Sequence, residues 1–105
     1  MKNIVLIGMP GAGKSTIGII LAKVLGYQFL DSDLLIQERE KCLLKDIIKR
    51  KGLDGFIAVE NQVNREIKAE KTVIATGGSV IYGAEAMEHL RSIGIVVYIQ
   101  LSYET

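Results

Sequence analysis

Gly8-Met9-Pro10-Gly11-Ala12-Gly13-Lys14-Ser15 reads G-x-x-x-x-G-K-[ST], and Thr16 extends the run. The chemistry this pattern serves is the holding of a phosphate chain. Glycines let consecutive backbone N–H groups curl around phosphate oxygens, and a helix that starts at the lysine turns its partial positive charge toward the same anion. Gly11, Ala12, Gly13, Lys14, Ser15 and Thr16 are therefore the candidate contacts to the phosphates of ATP. Lys14 would reach the β and γ phosphates, and the Ser15 hydroxyl would ligate Mg²⁺. At average composition such a match arises by chance in about 0.4% of chains this long. The alternative, a glycine-rich turn that merely caps a helix, has to explain the strand before it and the helix after it as coincidence.

Two further features bear on chemistry. Asp31-Ser32-Asp33 follows a predicted strand, which puts both carboxylates near the C-terminal edge of a sheet, where open α/β sheets bind ligands. One carboxylate can serve the Mg²⁺ shell while the other takes a proton from an attacking hydroxyl. The competing reading is that one of them only caps the helix starting at Leu34. Gly77-Gly78, after another predicted strand, brings bare backbone to the same edge. It serves either a ligand or a turn that needs φ > 0.

The elements that must position these residues are legible in the hydrophobic pattern. Residues 3–8 form a short β-branched run, apolar without a break from Ile4 to Ile7 and not alternating with polar residues, the mark of a strand buried on both faces. Ile17, Ile20, Leu21, Val24 and Leu25 then recur at helical spacing and predict a core-facing stripe that stops at Gly26. Residues 27–30 predict a second strand, and the helix capped by the aspartates runs to about Lys41. A short basic helix is expected over 44–51, ending at Gly52. In the next helix Phe56, Val59, Val63 and Ile67 share the apolar face, with Glu60, Asn61, Asn64 and Lys68 turned elsewhere. Residues 72–76 and 95–101 predict the third and fourth strands, separated by a helix through Ala84, Met87 and Leu90. Strands alternating with helices imply an α/β fold whose parallel sheet is covered on both sides.

Composition narrows the function classes. The 105 residues carry 13 Lys+Arg against 12 Asp+Glu, so no net charge draws the chain to nucleic acid or to an anionic membrane. Any polyanion it binds is small and recognised locally. No apolar run approaches the roughly 20 residues of a membrane span. Cys42 stands alone, which excludes an internal disulfide and fits a reducing cytoplasm. His89 and the run Lys49-Arg50-Lys51 read as surface features, and Cys42 as a boundary thiol.

The phosphate loop, Asp31-Ser32-Asp33, Gly55-Phe56-Ile57-Ala58-Val59-Glu60 and Ala75-Thr76-Gly77-Gly78 follow one another in an order that resembles shikimate kinase over essentially the whole chain. The resemblance implies a three-layer α/β/α domain of the P-loop NTPase type, here residues 1–105, with strand order 2-3-1-4. It implies Mg²⁺-dependent transfer of the γ-phosphate of ATP to a hydroxyl of shikimate. By position, Ser15 would hold the metal with Asp31 in its outer shell, and Asp33 would bind the acceptor hydroxyls and act as base. Gly78 would meet the acceptor through its backbone, and Glu60 would orient groups of the acceptor site.

Three departures accompany the match. The family's G-F-R arginine, which grips the acceptor carboxylate, is replaced by Ile57, and a third glycine is replaced by Ser79. Family members also continue beyond the point where this chain ends, into a lid and a fifth strand. The expectation is a C-terminally incomplete domain that binds nucleotide with little turnover and whose fourth strand is an open edge available to a second copy. Two readings stay open beside the main one: a kinase for another small hydroxylated acceptor, and a nucleotide-binding module without catalysis.

Overall fold

The computed structural model describes residues 2–8 and 14–99. Strand β1 (Asn3–Gly8) leads to helix α1 (Lys14–Leu25), followed by β2 (Gln28–Asp31), α2 (Ser32–Glu40) and α3 (Leu44–Arg65). Then come β3 (Thr72–Ala75), a short 3-10 turn over Val80–Tyr82, α4 (Ala84–Ile93) and β4 (Gly94–Ile99). All pairings are parallel, in the order β2-β3-β1-β4. The sequence-based order 2-3-1-4 and the α/β class are those observed.

The apolar run over residues 4–7 sits where two-sided burial requires it, but the equally apolar run over residues 95–99, expected to be buried, forms an outer strand. The inner strand β3 is buried throughout and β1 nearly so, whereas the outer strands β2 and β4 are largely half-exposed or exposed. Because side chains alternate across the sheet, Leu6 and Val73 meet Ala22 of α1 on one face. Val5, Ile7 and Ile74 meet Ile67, Met87 and Leu90 on the other. A third apolar cluster, Ile36, Ile47, Phe56 and Val63, locks α2 to α3. At the end of the sheet away from the phosphate loop, Asn3 bonds to the carbonyls of Ala69 and Ile93 and accepts from the Thr72 N–H, fixing three crossings at one amide.

Three expectations need correction. The stripe on α1 is mostly not the core face: Ile17, Ile20, Val24 and Leu25 are 40–76% exposed, Leu21 alone of the five packs on the core, and Gly18 and Ala22 face the sheet instead. A Cβ at Gly18 would come within 2.6 Å of the Phe29 ring, so the helix approaches the strands through its small residues. As a result the sheet is covered unevenly, and Ile95 and Val97 of β4 remain 58% and 41% exposed on the α1 side. Glu60 and Asn64, expected to turn away from the core, are 1% and 0% exposed. Their helix packs against α2 on one side and against α4 and the 3-10 turn on others, so it has little free face.

Boundaries shift by a residue or so. The two helices expected on either side of Gly52 are both present within α3, which is broken at Gly52, where φ of 74° and ψ of 174° are not helical. His89 is half-buried and its Nε2 bonds the Ile67 carbonyl at 2.6 Å, a structural role. Cys42 accepts from the Arg50 guanidinium at 2.8 Å on the surface. The predicted end of the fourth strand, residues 100–101, lies outside the described residues. Among the described residues no helix is long and apolar enough to cross a membrane.

Candidate active site

The C-terminal ends of β1, β2 and β3 converge on the first turns of α1 and α2. Of the phosphate-loop candidates, Gly11, Ala12 and Gly13 lie outside the described residues, while Lys14, Ser15 and Thr16 form the first turn of α1. Lys14 is 9% exposed and its Nζ donates to the Gly8 carbonyl at 3.2 Å, so the ammonium is held at the end of β1. The Ser15 hydroxyl donates to Asp31 Oδ2 at 3.0 Å, joining α1 to the end of β2. Thr16 is exposed.

Asp31 resolves the choice between cap and site by doing both. Its Oδ1 accepts from the Asp33 N–H at 2.9 Å and so caps α2, while Oδ2 is left for Ser15. This division is possible because the Asp31 backbone is extended (φ −109°, ψ 114°), the usual N-cap conformation. Asp33, in the first turn of α2, is half-buried. Burial and the neighbouring Asp31 charge push its carboxyl above the usual range, and Lys14 pulls it back.

Glu60 reaches the same place from α3. A Cβ on Gly77 would press into both Glu60 Oε2 and Asp33 Oδ1, so the two carboxylates close on one bare stretch of backbone. Both Glu60 oxygens are buried, with the Ser79 hydroxyl as the one side-chain donor near them among the described residues, and Asp33 Oδ1, Ser32 Oγ and Asn64 Oδ1 are buried and unpartnered. The Glu60 carboxyl is pushed up to about 7, first by burial and then by the Asp33 charge, with the nearby Ser79 hydroxyl opposing. The Thr76 hydroxyl and N–H both donate to the Leu6 carbonyl, at 2.8 and 3.1 Å, and pin the end of β3 beside β1.

Gly78, the expected acceptor contact, is half-buried one residue beyond this junction. Gly77 does open a turn, its carbonyl accepting from the Val80 N–H at 3.4 Å, but neither Gly77 nor Gly78 has positive φ, so the turn does not call for glycine's left-handed freedom. Space decides Gly77. Asn64, whose amide holds the Glu60 carbonyl at 2.8 Å, was not singled out from the sequence as a site residue. The signal was there in the i, i+4 spacing of two polar residues on an otherwise apolar helix face. Ile57 is half-buried and packs into the apolar cluster between α2 and α3.

As a place for a metal, the Ser15 hydroxyl and the Asp31 carboxylate offer two hard oxygen donors side by side. No three His, Cys, Asp or Glu residues come together as a metal cage among the described residues. Such a sparse donor set fits Mg²⁺, which keeps several waters and takes its other ligands from phosphate.

The family model for shikimate kinase matches residues 10–105. The chain belongs to the shikimate kinase family. Shikimate kinase 2 of Yersinia pseudotuberculosis is 39% identical over 101 residues, which is 96% of this chain and 58% of that protein. Among solved structures, the shikimate kinase of Acinetobacter baumannii in complex with shikimate superposes with a TM-score of 0.91 at 40% identity, covering 97% of this chain and 57% of that one. Shikimate kinase from Aquifex aeolicus gives 0.85 at 34% identity, covering 96% and 61%. The chain thus spans 58% of the length of the curated shikimate kinase 2 relatives it matches.

Proposed function

We propose that this chain carries the nucleotide site and one wall of the acceptor site of a kinase that transfers the γ-phosphate of ATP to a hydroxyl of shikimate. The observation that carries the reading is the meeting of Lys14, Ser15, Asp31 and Asp33 at one end of the sheet. Lys14 neutralises phosphate charge, and the N-terminus of α1 adds its dipole. Mg²⁺, when bound, screens charge between the phosphates; Ser15 would hold it, with Asp31 behind the hydroxyl. Asp33 binds the acceptor hydroxyl and takes its proton. Its half-burial and the opposing pulls of Asp31 and Lys14 support that role. Such transfer depends mostly on positioning and charge stabilisation. Lys14 is the basic group acting on Asp33 among the described residues. The 105-residue chain should therefore run below the 1–100 s⁻¹ usual for kinases, an order-of-magnitude range. The reading assigns the cytoplasm as the compartment, on the support of a single free cysteine.

The test is a single-turnover incubation with γ-labelled ATP and shikimate, separating the sugar-like acceptor from nucleotide. The label should appear in shikimate, and Asp33→Asn should slow it by roughly 10²-fold or more. Unlabelled shikimate at long times, or equal rates with Asp33→Asn, would reject the reading. A second acceptor class, small hydroxylated molecules without a carboxylate, is favoured by one observation. Ile57 occupies the arginine position and is packed among apolar side chains.

A further inference from the structure

We infer that the chain carries a second ligand site, a cavity of about 360 Å³ between β2, α2 and the C-terminal end of α3, suited to a small molecule with an apolar body and one negative charge. None of the residues that line it belongs to the phosphate or acceptor site, so the inference does not rest on the kinase reading. The floor is apolar. Val63 and Ile67 are 6% and 4% exposed there, and Leu30 and Leu35 are half-buried. Leu35 packs against both the sheet cluster and the cluster that locks α2 to α3. The cavity therefore opens at the seam between two cores, and an apolar body placed in it shields side chains of both from water.

The rim is charged, and its charges do not balance. Arg39, Glu66 and Lys68 line it, which leaves one positive charge in excess. Glu66 Oε2 accepts from Arg39 Nη1 at 2.9 Å and from Gln62 Nε2 at 2.7 Å, and these bonds hold its carboxyl below the usual range, so it stays ionised. Lys68 has neither a hydrogen bond nor an ion pair among the described residues. Arg39 gives Glu66 one of its five N–H donors. The two side chains of that pair are 46% and 49% exposed, and pairs so exposed contribute little stability, so the guanidinium can turn its remaining donors toward a ligand.

These features select among ligands. A carboxylate at the rim meets Lys68 and the spare donors of Arg39 in charge-assisted hydrogen bonds and brings the lining to neutrality. A polyphosphate would overshoot that balance, and a cation would face Lys68. A neutral molecule of the same shape gains the floor but not the rim. The occupant also bears on the first site, because Leu35 and Arg39 stand on the nine-residue helix whose first turn carries Asp33. Asp33 and Arg39 are separated by roughly 9 Å along the helix axis.

The test is a titration of the ¹⁵N-labelled chain with 3-phenylpropionate, followed through its amide chemical shifts, beside the uncharged match 3-phenylpropanamide. Shifts should centre on Leu30, Leu35, Val63 and Ile67, and the carboxylate should bind about tenfold or more tighter than the amide. Lys68 and Lys49 are both exposed, and only Lys68 lines the cavity. Lys68→Gln should therefore weaken the carboxylate about tenfold and leave the amide unchanged, while Lys49→Gln should alter neither. Shifts centred on Lys14 and Ser15, equal affinity for carboxylate and amide, or equal losses in the two variants would overturn the inference. So would shifts that fail to saturate at millimolar probe.

Discussion

Ser15 and Asp31 are joined by a hydrogen bond of 3.0 Å that ties the start of the first helix to the end of the second strand. The same aspartate caps the next helix with its other oxygen. One side chain therefore fixes the distance between the phosphate side of the site and Asp33, two residues further on. The separation of the two jobs on two oxygens makes them separable by mutation.

Asp31→Asn keeps an acceptor for the cap but removes the charge behind Ser15. It should leave thermal stability nearly unchanged and weaken Mg²⁺-dependent ADP binding by about tenfold. Asp31→Ala loses the cap as well, at a cost of about 1 kcal/mol. It should unfold several degrees lower in a calorimetric scan. Equal melting of the two variants would show that the cap carries no weight.

Glu60 makes stability depend on pH in a defined direction. Its carboxyl sits at about 7 in the fold against 4.5 when unperturbed, so the folded state holds more protons between those values. Stability should fall as pH rises from 4.5 toward 7 and stay level above. Glu60→Gln does not titrate there, so relative to the unaltered chain it should gain roughly 1–3 kcal/mol between pH 5 and pH 8. Parallel urea curves for the two proteins at both pH values would contradict the burial argument.

Gly77 is needed for space. A Cβ there would push against the ends of two side chains, which can move, rather than against backbone. Gly77→Ala should therefore cost little stability but displace Glu60 and Asp33, weakening acceptor binding by about tenfold with MgADP affinity retained. Unaltered acceptor affinity would mean that the two carboxylates do not form the acceptor wall.

β4 leaves Ile95, Val97 and Tyr98 exposed at 58%, 41% and 54%, at the rim of the sheet. Unpaired backbone beside exposed apolar side chains is a template for strand pairing. Light scattering should detect concentration-dependent self-association, and Val97→Lys should suppress it. A monomer at millimolar concentration would remove β4 as a contact.

The parts of this molecule legible in the sequence are those where one physical demand dominates. Two-sided burial marked β1, and the phosphate loop marked the start of α1, because each needs a residue pattern little else produces. The face of α1 was misread for the opposite reason. Its largest apolar residues point outward, and the contact is made by Gly18 and Ala22, which periodicity counts as weak. Glu60 was marked as an acceptor-site residue from its motif, yet its deep burial was invisible, since a glutamate on a helix reads as a solvated face until its neighbours are known. Which oxygen of Asp31 serves which partner depends on the backbone turn between β2 and α2, a three-dimensional fact.

The proposed function stands or falls with the binding of a magnesium nucleotide at Lys14 and Ser15. MgADP titrated calorimetrically into the chain, beside Lys14→Ala and a magnesium-free control, should bind at one site per chain, weakened about tenfold or more by Lys14→Ala and by omission of Mg²⁺. Absence of binding, or equal affinity in all three titrations, would contradict it.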